Sequence, residues 1–75
     1  MTDAPAAPHV PDNAERADFA RDMLLMARAT IDEALAELDT VLPGMPIPLR
    51  AANLCNRAAC VEVHSAAKAI VNTNR

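Results

Sequence analysis

The chain has 75 residues, ten acidic and seven basic side chains and a formal net charge of −3, a size that permits one small domain with difficulty in burying a core of its own. With no Trp or Tyr and a single Phe, it offers neither aromatic platforms for base stacking nor an aromatic-lined ligand pocket. Apolar residues make up 52% of the sequence, but 17 of them are alanine, which favours helix and adds little volume to a core.

Residues 1–11 are rich in Ala and Pro, with Pro5, Pro8 and Pro11 three apart. That composition supplies neither a helix nor a core, so a flexible tail is expected. It lacks the basic and apolar regions of a secretory leader, and no later stretch has the roughly 18 uncharged apolar residues of a membrane span. The expectation is a soluble cytoplasmic protein whose two cysteines are reduced thiols.

At Asp12 the pattern changes. A carboxylate cap with Glu15 three residues later marks a helix start, and no Pro or Gly interrupts the sequence from there to Leu42. A helix over about 13–42 is predicted. At about 100° per residue, Leu24, Ala27, Ile31, Ala34, Leu38 and Val41 form one partner-facing stripe. Asp18, Asp22, Asp32, Glu33 and Asp39 lie away from it, and Leu25 points nearly opposite.

Pro43, Gly44, Pro46 and Pro48 then define an elbow over 43–48. Pro43 disfavours helical geometry at Leu42, and Pro48 suits the first turn of a second helix, predicted over about 48–71. A break near Asn53–Asn56 is the structural alternative. Ala52, Ala59, Val63, Ala66, Ala67 and Ile70, flanked by Cys60 and Val71, form a small-residue face expected to pack closely on the first helix. Leu54, Val61 and Ala58 form another strip that a lone hairpin would leave uncovered. The predicted fold is therefore all-α, an antiparallel helical hairpin that dimerises into a four-helix bundle.

Charge is divided unevenly. Residues 1–43 carry nine acids and three bases, whereas residues 44–75 carry one acid and four bases. Arg50, Arg57, His64 and Lys68 read as a solvated basic stripe that complements the acidic helix, within a hairpin or between protomers. Nucleic-acid binding by an Arg50, Arg57 and Lys68 dimer surface is the alternative; few positive groups and an overall negative charge disfavour it.

Cys55, Cys60 and His64 lie within ten positions. On a continuous α-helix the two cysteines differ in direction by about 140°, which forbids an intrahelical disulfide, so they are expected to be small, buried hydrophobes. Cys60 and His64, four apart, do share a face and could supply two metal ligands. The remaining ligands would have to come from a symmetry mate or from His9, so no metal or other cofactor is expected. No third group orients a Cys–His nucleophile, and Glu62 projects elsewhere on this wheel. The leading expectation is a non-enzymatic regulator or inhibitor of the kind mobile elements encode. It would bind another protein through Asp32, Glu33 and Glu37 or through Leu54 and Val61. A thiol or metal sensor using Cys60 and His64 is the alternative from another class.

Overall fold

The computed structural model describes residues 10–73; most of the Ala/Pro-rich segment, with His9, lies outside the described residues. Asp12 begins the first helix as predicted. Its Oδ1 accepts the Glu15 amide at 2.8 Å and its carbonyl accepts the Arg16 amide at 3.0 Å, satisfying amides that the first helical turn would otherwise leave unpaired. Helix α1 (Asn13–Asp39) has 27 residues and so extends about 40 Å.

It stops three residues before the predicted end at Leu42. The Thr40 hydroxyl donates to the Glu37 carbonyl at 2.8 Å, and the Val41 amide reaches Leu38 rather than continuing the helical ladder. The chain then turns at Leu42–Pro43–Gly44–Met45, where the Met45 amide donates to the Leu42 carbonyl at 3.0 Å. Gly44 has φ +84°, the positive value that the third position of a type II turn demands, and proline is favoured just before it.

The second arm is helical from Leu49 to Thr73. It comprises α2 (Leu49–Asn56), a π-helical segment Arg57–Val63, and α3 (His64–Thr73). Pro48, extended at φ −63° and ψ 135°, precedes the helix rather than occupying its first turn. There is no break at Asn53–Asn56: Asn56, Arg57 and His64 all have right-handed helical dihedrals. What changes is the winding, since the His64 amide donates to the Ala59 carbonyl five residues back, the spacing that defines a π turn.

Among the described residues the fold is all-helical, an antiparallel hairpin without strands. Its interior is made of small side chains. Ala20, Ala27, Thr30 and Ala34 of α1 face Ala51, Leu54, Ala58, Glu62 and Ala66 of the second arm, all buried to 6% exposure or less. Six alanines let the backbones approach closely, and Leu54 is the one large apolar side chain buried among the described residues. Thr30 is satisfied within its own helix, its hydroxyl donating to the Met26 carbonyl at 3.0 Å.

The π segment explains why the second arm turns a different face inward from the one expected. Leu54, Ala58, Glu62 and Ala66 are spaced by four, and in a straight α-helix each such step drifts by about 40°. Wider winding over Arg57–Val63 takes up that drift, so all four point at α1. Of the expected packing face only Ala66 is buried; Ala52, Ala59, Val63, Ala67 and Ile70 are exposed.

Candidate interaction surface

The hairpin leaves nearly all its bulky apolar groups outside. Leu24, Ile31, Leu35 and Leu38 of α1 are 42–53% exposed, and Val63 and Ile70 of the second arm are 41% and 49% exposed. Their arrangement follows from position relative to the inner residues. A side chain one residue after an inner position turns to one side of the hairpin, and one residue before turns to the other. Because the arms run antiparallel, "after" is the same side on both.

Two grooves bear this out. On one side Ala17, Ala20, Arg21 and Leu24 line a groove with Ile70. On the other, Glu15, Arg16 and Phe19 line one with Ser65 and Lys68, and Arg50 lies against Glu33 and Glu37. The first side is therefore an apolar broad face, with Leu24, Ile31, Leu35 and Leu38 along one half and Ala52, Ala59, Val63 and Ile70 along the other. The second side is mixed, carrying Phe19, Met26 and Val61 among charged groups.

This geometry redistributes the residues predicted to bind a partner. Leu54 is 6% exposed between the arms, while Val61 is 55% exposed on the mixed side, so they do not form a shared uncovered strip. The corrected phase of the second arm is the physical reason. The α1 stripe also divides: Ala27 and Ala34 turn inward, while Leu24, Ile31 and Leu38 edge onto the broad face.

The acidic candidates separate in the same way. Arg50 Nη1 donates to Glu37 Oε1 at 2.6 Å, and Nη2 lies 3.5 Å from Glu33 Oε2. Two of the three acids thus face the chain's own arginine, whereas Asp32 projects outward and exposed. This is the complementarity between helices expected from the charge division, realised at the elbow end. An exposed pair of this kind contributes about 0.2–1 kcal/mol and does more to align the arms than to stabilise them. Arg57, His64 and Lys68 remain exposed.

Beside the aliphatic line of α1, about 50–90° further outward than its centre, runs a charged rim of Arg21, Arg28, Asp32 and Asp39. All four are exposed, and none forms an ion pair with a described residue. Their signal in the sequence is the seven-residue spacing within each like-charged pair, 21 to 28 and 32 to 39.

Cys55 and Cys60 are both exposed free thiols, not the buried hydrophobes expected. Cys55 follows Leu54 and so edges the broad face; Cys60, two residues from both Ala58 and Glu62, points away from α1. Among the described residues no three of His, Cys, Asp and Glu gather into a metal-binding group, so Cys60 and His64 gain no third ligand there. No helix is long and apolar enough to cross a membrane among those residues.

Glu62 was missed. It is 2% exposed, and neither carboxylate oxygen has a hydrogen-bond partner. The signal for its burial was its place in the four-residue series Leu54, Ala58, Glu62 and Ala66; an acid in that series reads as a solvent-facing residue. No protein-family model matches the chain, and neither a curated protein nor a solved structure matches it.

Proposed function

We propose that the protein is a non-enzymatic interaction module, a small regulator or inhibitor, whose contact surface is the apolar broad face of the hairpin. The observation that carries this reading is the inversion of the usual distribution of side chains. The interior is six alanines, Leu54, Thr30 and Glu62, while Leu24, Ile31, Leu35, Leu38, Val63 and Ile70 lie outside on one side. A contiguous apolar patch rimmed by polar groups is a characteristic contact surface. Covering it with a second helical layer would give the four-helix arrangement expected of so thin a molecule.

Glu33 and Glu37 do not serve as the docking face in this reading, because they are engaged by Arg50. Two exposed free thiols suit a reducing, cytoplasmic setting. The test is a photocrosslinking amino acid placed at Leu35 on the broad face, or at His64 on the outer surface, in cells that express the full chain. Covalent adducts to protein, whether the chain itself or another, are expected from position 35 and not from position 64. Equal yields from the two positions, or none from position 35, would remove the basis for the reading.

A further inference from the structure

The charged rim of α1 is self-complementary. Along it two arginines seven residues apart, Arg21 and Arg28, are followed by two aspartates seven apart, Asp32 and Asp39. A twofold axis perpendicular to the helix at Thr30 carries position 21 to the level of 39 and position 28 to the level of 32. Each basic group then meets an acidic one, and the relation is reciprocal, as an interface between identical copies requires.

We propose that the broad face is covered by a second copy of this chain, laid antiparallel with α1 against α1 about a twofold axis at Thr30. In this dimer Arg21 and Arg28 of each copy pair with Asp39 and Asp32 of the partner subunit. The inference rests on the reading of the broad face as a contact surface and names what occupies it.

The aliphatic line fits the same register. Leu24 falls level with position 36, between Leu35 and Leu38 of the partner subunit, and Ile31 falls two residues, about 3 Å along the axis, from its own copy. Neither other alignment of the two faces pairs the rim. A parallel α1–α1 contact sets Arg21 beside Arg21 of the partner subunit. Stacking α1 on the second arm is no better: facing residue numbers in the hairpin total 83 to 87, as Arg50 lies against Glu33 and Glu37 and Ser65 lines a groove with Phe19. That register would bring Arg21 to His64 of the partner subunit and Asp32 to Asn53 of the partner subunit, matching no opposite charges.

The hairpin register also sets Cys55 level with Thr30. On the edge of the broad face and at the axis, it lies near Cys55 of the partner subunit, whereas Cys60 points away.

The experiment uses the full chain and two double variants, Arg21→Glu with Arg28→Glu and Asp32→Arg with Asp39→Arg, followed by sedimentation equilibrium and native mass spectrometry. The wild type is expected to be a dimer. Each variant alone opposes like charges at four places and should dimerise at least about tenfold more weakly, the cost of reversing several rim contacts. Mixing the two should restore a mixed dimer, an outcome open only to chains that remain folded. A short bismaleimide should link two copies through Cys55, a product lost in Cys55→Ser and kept in Cys60→Ser. A monomeric wild type, or a mixture that fails to associate, overturns the inference. A dimer lost in Leu35→Asp but indifferent to both charge reversals also overturns it, while leaving the contact-surface reading in place. A dimer indifferent to Leu35→Asp as well removes both.

Discussion

Replacing Glu62 with leucine should make the protein more stable, although it alters the most deeply enclosed acidic side chain of the hairpin. Glu62 is 2% exposed in an interior otherwise made of alanines, Leu54 and Thr30, and neither of its carboxylate oxygens has a partner. Leaving a buried polar group unsatisfied costs about 1–3 kcal/mol. Filling the site with apolar atoms instead of removing a partner avoids the penalty of stranding another group. Leucine adds about 1.5–3 kcal/mol of apolar burial, against about 1–3 kcal/mol of strain for its bulk in a tightly packed seam. The balance is a gain of about 2 kcal/mol, or about 8–16 °C in melting temperature for a domain of this length. Glu62→Gln, which leaves an orphaned amide, should gain less. Urea unfolding followed by far-ultraviolet circular dichroism at one fixed protein concentration measures the change, with concentration held constant because association would shift apparent stability. A loss of more than about 1 kcal/mol for Glu62→Leu would contradict the reasoning, since it would require the carboxylate to make an interaction that stabilises the fold.

Two further substitutions and two deletions test the account of the hairpin. Asp12→Ala removes the acceptor of the Glu15 amide and should cost about 1 kcal/mol by the same unfolding assay. Ala27→Leu introduces bulk at a residue 2% exposed between the arms and should cost about 1–3 kcal/mol; a neutral result would mean that the arms are not held at alanine distance. Deleting Cys60 should convert the π turn to ordinary helix, because the inner positions then fall four, three and four apart, close to the 3.6-residue period. Full helicity and a stability change within about 1 kcal/mol are expected. Deleting Ala29 instead rotates everything beyond it by about 100° and should cost more than about 3 kcal/mol, as several buried positions exchange places with exposed ones.

The elements were legible from punctuation. Asp12 and Glu15 announce one helix start, Pro43 and Gly44 define the turn, and the Pro48–Leu49 boundary opens the second arm. The antiparallel arrangement followed from the short elbow, and the division of charge pointed to attraction between helices, though not to the particular pairing of Arg50 with Glu33 and Glu37. The orientation of the second arm did not. A wheel of constant 100° steps spreads Leu54, Ala58, Glu62 and Ala66 over about 120°, and the series contains an acid, so the eye rejects it as an inner face. Only the wider winding of Arg57–Val63 gathers it. Once that phase is known, the small-residue face centred on Ala59 and Val63 moves outward and joins the leucines of α1. The broad face was therefore present in the sequence as two separate stripes. What the sequence concealed was that they lie side by side instead of against each other.

The most direct test compares two aliphatic residues that the hairpin itself exposes equally. Leu35, on the broad face, is 53% exposed, and Val61, on the mixed side, is 55% exposed. Hydroxyl-radical footprinting of the full chain reads both in one experiment, each referenced to its own labelling after dilution to the free hairpin. If the broad face is the contact surface, association will protect Leu35 several-fold and leave Val61 unchanged. Equal protection of both residues on association, or none at Leu35, would contradict the account.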